Sequence, residues 1–162
     1  MTNGMPPVEP GESIRVVVLS ADRVFADSLA AILAGEGLRA LRLEPAAAAA
    51  SGPTEVDVVV LESPGPGDPL WGAAEALRKH DPLVELVVVT SDPDVRDAVE
   101  TVRSGAFTVL EYPVSGQELA GAVLAAGRRK LRAARRIDQI DHESYDDEAW
   151  VQPASSREGR AG

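Results

Sequence analysis

Apolar residues along this chain gather in short, nearly unbroken runs, and helical spacing fills the stretches between them. Ile14, Val16, Val17, Val18 and Leu19 make the first run. Val56 to Leu61 and Leu83 to Thr90 make two more, both rich in Val, and a weaker one covers Phe107 to Leu110. A strand covered by helices on both sides of a parallel sheet reads this way, because neither of its faces meets water. Leu38 to Leu43 alternates instead, which suits an edge strand with Leu41 and Leu43 pointing inward.

Helical periods occupy the gaps. After Asp22, positions Phe25, Leu29, Ile32 and Leu33 share a face, and Gly35 and Gly37 supply a stop. Pro45 to Ala50 makes a short helix, ended by Gly52 and Pro53. Pro69 to His80 sets Leu70, Ala73, Ala74 and Leu77 on one side, and Asp81-Pro82 closes it. Pro93 to Ser104 carries Val95, Val99 and Val102, with Gly105 beyond. Ser115 and Glu118 form a capping box that opens a long helix through Leu119, Val123, Leu124 and Leu131 toward Ile137.

Strand and helix therefore alternate five times. Each crossover is too long for a hairpin and right for a right-handed βαβ unit. The expected fold class is α/β, a three-layer, doubly wound five-stranded parallel sheet with an extended C-terminal helix. Residues 1–12, rich in Pro and Gly, are expected to be a disordered tail, 13–137 one domain, and 138–162 an acidic disordered tail. Sheets of this kind work at the carboxyl ends of their strands, here after Leu19, Leu61, Val89 and Leu110.

Composition narrows the function. Aromatics are 4% of the 162 residues against 44% hydrophobic, so the core must be built from Val, Leu, Ile and Ala. There is no cysteine, which excludes disulfides and thiolate metal sites. No signal-peptide pattern and no membrane-length apolar run occur, and a cytoplasmic protein that does not engage membranes is expected. A net charge of −10 argues against direct DNA binding, which needs cations to displace counterions.

That charge is unevenly spread. Arg128, Arg129, Lys130, Arg132, Arg135 and Arg136 form a basic block, and Asp138, Asp141, Glu143, Asp146, Asp147 and Glu148 follow it. A solvated helix end running into a tail explains this, and so does a binding element for a partner or a lipid surface. His80 and His142 lack metal-ligand spacing and read as surface residues. Gly65-Pro66-Gly67 lacks the residues that would make it a phosphate loop, and it follows the third strand rather than the first. No Ser-His-Asp set has usable spacing.

From about Ile14 to Leu131 the chain resembles the receiver domain of bacterial response regulators. Val56-Asp57-Val58-Val59-Val60-Leu61 resembles that family's third strand, which leads to the phosphoacceptor position. Pro66-Gly67, Val87-Val88-Val89-Thr90, Gly105-Ala106 and Tyr112-Pro113 follow at the family's spacing. The resemblance implies a flavodoxin-like, CheY-like sheet of strand order 2-1-3-4-5.

It also implies a site, and the site departs from the pattern. Phosphotransfer in that family uses an acid pair after the first strand to hold Mg²⁺, an aspartate nucleophile after the third, and a lysine after the fifth. Here the acid pair is Ser20 and Ala21, with Asp22 at a less demanding third position; the acceptor is Glu62 and the lysine is Tyr112. Thr90 alone keeps its family identity, and Val109 stands where an aromatic switch residue is common. Phosphorylation is therefore not expected, and neither a cofactor nor a bound metal is implied. Glu62 either mimics the phosphorylated state, with Thr90 donating to it, or is a tolerated carboxylate in an abandoned pocket.

The expected function is a non-enzymatic pseudo-receiver that binds another regulatory or signalling protein. By resemblance, its contact surface is the fourth helix, fifth strand and fifth helix, with Val95, Val99, Val109, Leu119, Arg128, Arg129 and Arg132 as candidates. The same surface would serve a homodimer. Trp71 suits either a cap on the core or an anchor for a partner, and Trp150 either a docking motif or a strap folded back on the domain. Two alternatives remain: a small-molecule sensor using the pocket of Ser20, Glu62, Thr90 and Tyr112, and a phosphoacceptor of unusual chemistry.

Overall fold

A computed structural model describes residues 13–50, 55–63, 67–91 and 95–160, with side chains described as far as Ile140 apart from those at 49–50 and 95–96. The strands are β1 (Val16–Leu19), β2 (Ala40–Leu43), β3 (Val58–Glu62), β4 (Glu85–Thr90) and β5 (Ala106–Glu111). Between and after them run α1 (Arg23–Gly35), α2 (Pro45–Ala50), α3 (Pro69–His80), α4 (Val95–Arg103) and α5 (Gly116–Arg160). All strand pairs are parallel, in the order β2-β1-β3-β4-β5. The doubly wound five-stranded sheet is thus the one the apolar runs pointed to. The expected N-terminal tail, 1–12, lies outside the described residues.

Burial on both sheet faces explains the Val-rich runs. On one face Val17, Leu19, Val59, Leu61, Leu86 and Val88 pack with Ala48 of α2 and with Leu70, Trp71, Ala74 and Leu77 of α3. By the two-residue strand period, Val16, Val18, Val58, Val60, Val87 and Val89 face the other way and are equally buried. Ala26, Leu29 and Leu33 of α1 and Leu119, Ala120 and Val123 of α5 are buried too. At Gly127 the α5 backbone comes so close to Ile14 that an added Cβ would lie 2.7 Å from its Cδ1, so a larger residue there would have to displace the Ile14 side chain.

The sequence punctuation acts as expected at both ends of α1. Asp22 is its N-cap, accepting from Val24 N–H and Phe25 N–H. At the other end Gly37 takes a φ of 84°. The Gly37 N–H donates to Ala34 O and the Leu38 N–H to Leu33 O, the two bonds of a Schellman stop. Ser115 Oγ accepts from Glu118 N–H at 3.0 Å, one half of the capping box.

Burial decides between the alternatives at several positions. Trp71 is a core residue, 6% exposed, and its indole N–H donates to Glu75 Oε2 at 3.0 Å, so no face is left for anchoring a partner. Leu41 is exposed because it lies on the edge strand, while Leu43, two residues on, reaches the core. α5 continues through Arg160, across the stretch where no element was expected. The fold divides into one unit ending at Lys130 and a second, residues 131–162, whose described part is the C-terminal portion of α5.

Charge enters the interior at the end of the sheet where the strands begin. Asp57, immediately before β3, is fully buried. Its carboxylate accepts from the Arg15 backbone N–H at 2.8 Å, the Arg15 guanidinium at 3.2 Å and Lys130 Nζ at 2.9 Å. Lys130 also reaches Asp81 at 3.1 Å, and so it is a buried tie rather than part of a solvated helix end. Burial by itself would raise the Asp57 pKa; the Arg15 and Lys130 hydrogen bonds outweigh it and hold the carboxyl below its usual range. Burial likewise disfavours the Lys130 cation, but the bonds to Asp57 and Asp81 leave its pKa raised.

Lys130→Met should cost about 3–5 kcal/mol in urea unfolding, because it leaves buried carboxylate under-compensated. Arg15→Ala should cost less, since that guanidinium is nearly half exposed. The Asp57 contribution is complete above its unfolded pKa of about 3.9. It fades as acid takes the protein down through the lower folded value, so acid unfolding of the Asp57→Asn variant should be shallower than that of the parent.

Candidate functional site

The parallel order carries the ends of β1, β3, β4 and β5 to one pole. There Ser20 follows β1, Glu62 ends β3, Thr90 ends β4 and Tyr112 follows β5. The sequence expected these positions to share a pocket, and β1 and β3 do lie side by side with Leu19 level with Leu61.

Ser20 is buried, and its Oγ lies 2.9 Å from Glu62 Oε1. The same oxygen is 3.1 Å from the Asp22 carbonyl and accepts from the Asp22 N–H at 2.9 Å. A hydroxyl has one proton, and the charged carboxylate is the stronger acceptor. Ser20 thus brings a hydroxyl to Glu62 from a position where the family pattern has an acid. Glu62 itself is half-buried.

Asp22 has a different occupation. Its Oδ1 lies 2.9 Å from Val24 N and 3.3 Å from Phe25 N, so the carboxylate holds the first turn of α1. Tyr112 is half-buried, with its ring centroid 4.6 Å from that of Phe25 at an interplanar angle of 62°. This edge-to-face contact joins the end of β5 to α1 across the site mouth. The Tyr112 N–H donates to Thr90 O at 2.8 Å, extending the β4–β5 ladder, and the Tyr112–Pro113 peptide is cis. Thr90 is buried.

These residues do not fit Mg²⁺. A hard cation of this kind takes one or two carboxylates plus further oxygens in octahedral array. Here Asp22 is bound to its own helix, Glu62 accepts from Ser20, and Ala21 has no oxygen to offer on its side chain. Among the described residues no group of three or more His, Asp or Glu is arranged to hold a metal. A cleft of about 700 Å³ does open, but it is lined by Ile14, Val17, Leu38, Leu41 and Glu55, near where β1 and β2 begin.

The other candidates scatter. Leu119 is wholly buried and so is not available to a partner, while Val109 is half-buried and packs in part against the core. The sequence could not show this, because an apolar residue on a helix or strand reads the same on an inner or an outer face. Val99 and Val102 of α4 are 50% and 49% exposed. α4 turns Thr101 inward instead, its hydroxyl satisfied by donating to Asp97 O at 2.7 Å. Arg129 is exposed, pairs with Glu85 at 3.1 Å and lies 5.5 Å over the Phe107 ring. Arg128 is half-buried and Arg132 exposed; His80 is exposed. The side chains of Val95, His142 and Trp150 lie outside the described residues, as do residues 64–66.

The cluster of buried Asp57 and Lys130 with half-buried Asp81 was not anticipated. Its one signal was Asp57 itself, a charge inside an apolar run.

Comparison with solved structures identifies the architecture. A response regulator receiver domain protein from Clostridium thermocellum superposes with a TM-score of 0.61 at 20% identity, covering 74% of this chain and 98% of that one. The fold is that of a CheY-like receiver domain. A CheY-like receiver domain protein from Methanospirillum hungatei gives 0.59 at 17% identity, over 74% and 98% of the two chains. A putative pilus assembly-related protein from Burkholderia pseudomallei gives 0.57 at 21%, over 73% and 92%. No protein-family profile and no curated protein sequence matches this chain.

In this receiver-like pole, Asp22 should behave as a helix cap and not as a metal ligand. Asp22→Ala should lose about 1 kcal/mol, and Asp22→Asn should retain most of it, as read by urea unfolding with and without Mg²⁺. A magnesium-dependent gain in the parent that both variants lose would contradict the capping assignment.

Proposed function

We propose that this chain is a pseudo-receiver, a non-enzymatic regulatory or adaptor protein that acts by binding another protein and not by accepting a phosphoryl group. One observation carries this reading: the groups at the family's reactive positions are already employed by the fold. Ser20 donates to Glu62, Asp22 caps α1, and Tyr112 packs on Phe25. A phosphoryl group arriving at Glu62 would meet neither a fixed cation at the Tyr112 position nor a second carboxylate at Ser20 or Ala21 to share a metal with it. Both are needed to offset the charge of the transferred group.

The reading also needs a surface. On α4, Val99 and Val102 lie three residues apart and about half exposed, so they share one face of the helix. Exposed apolar side chains grouped on one helix are the ordinary material of a binding patch. Together with β5 and the first turns of α5 this face is the proposed contact for a signalling partner.

Incubation with acetyl phosphate or beryllofluoride and Mg²⁺ should leave the mass and the tryptophan emission unchanged. A phosphoprotein, or a magnesium-dependent spectral change, would refute the proposal.

Val99→Asp should leave the unfolding free energy within about 0.5 kcal/mol of the parent, as surface substitutions do. It should weaken partner capture at least about tenfold, since a charge enters an apolar contact. Equal capture by parent and variant would move the contact elsewhere.

A further inference from the structure

The C-terminal portion of α5 carries charge and apolar groups in an order that a lone helix does not use. Ile137 and Ile140 are 45% and 54% exposed and stand three residues apart, so they share one helix face. Arg132, Arg135 and Arg136 precede them, Asp138 lies between them, and Asp141, Glu143, Asp146, Asp147 and Glu148 follow. Ion pairs within a helix form between residues three or four apart. Of these three arginines, only Arg135 has an acidic residue at such a spacing, Asp138. The two blocks are therefore segregated along the helix, with the exposed isoleucines at the junction.

We infer that this segment pairs antiparallel with the same segment of a second copy. In that register Ile137 of each chain meets Ile140 of the other, and the basic block of each lies along the acidic block of its mate. Along the flank of that seam, position 136 lies within two residues, about 3 Å, of the level of position 143 of the second copy, and the two-fold axis makes each Arg136–Glu143 pairing occur twice. A parallel pair would set basic block against basic block and acidic against acidic. From 132 to 148 the helix rises about 24 Å, some four and a half turns, a short contact whose strength depends on both the apolar centre and the flanking charge. This assembly goes beyond the adaptor reading and does not rest on it, because it uses neither the strand-end pole nor α4.

Sedimentation equilibrium of the full chain tests it. A monomer–dimer equilibrium should appear and weaken as salt rises from about 0.05 to about 0.5 M. Arg136→Glu and Glu143→Arg should each loosen the dimer about tenfold or more, and the double variant should restore it. Ile140→Asp should dissociate it without lowering the melting temperature, since that side chain is exposed. Because the chain has no cysteine, a nitroxide on Val151→Cys reports direction. Antiparallel pairing puts the two labels about 30–40 Å apart, and parallel pairing puts them near contact. A monomer at every concentration, a parallel separation, or a dimer that survives Ile140→Asp but falls to Val99→Asp would each overturn the inference.

Discussion

β3 is buried on both faces and carries a carboxylate at each end, and the rest of the molecule is arranged around that constraint. Its interior residues, Val58 to Leu61, are wholly buried, so charge is tolerated only where the strand leaves the sheet. At the start, Asp57 is closed by Arg15 and Lys130, which ties β1 and α5 to β3. At the finish, Glu62 is met by a neutral hydroxyl from Ser20. One strand thus has a pole that compensates its carboxylate with two cations and a pole that supplies none from its neighbours after β1 and β5.

That asymmetry separates stability from function. Compensated charge at the Asp57 pole anchors the last helix to the sheet before the chain passes Lys130. The Glu62 pole is where folds of this kind do their chemistry, and there Asp22 caps α1 and Tyr112 packs on Phe25. Asp22 is the clearest case: an acid at a position that could serve a cation instead holds the first turn of α1. Tyr112 is the second, since its aromatic ring packs on Phe25 at the position where the receiver resemblance would place a lysine. A receiver-like scaffold is retained, and the proposed output shifts to surfaces that need no phosphoryl signal.

Most of the architecture was legible in the chain because two-sided burial leaves a strong imprint. Unbroken Val-rich runs, glycine and proline stops, and the Ser115 and Asp22 caps each report a local requirement that one stretch of sequence must meet alone. The candidate site was legible in part. Which residues stand at the strand ends follows from the alternation, and their identities already spoke against phosphotransfer.

What the chain by itself determined is the strand and helix order, the identities of the residues at the strand ends, and the segregation of charge along α5. Only the tertiary structure decided direction and partnership: that Trp71 and Leu119 face inward, that Val99 and Val102 face outward, and that Ser20 hydrogen-bonds Glu62. Lys130 shows the reason. In sequence it is one cation in a basic block, and nothing nearby marks it as different. In space it is buried against Asp57 and Asp81, 73 and 49 positions earlier in the chain. Local pattern records what a residue needs from water, whereas its contacts depend on distant segments that only folding brings together.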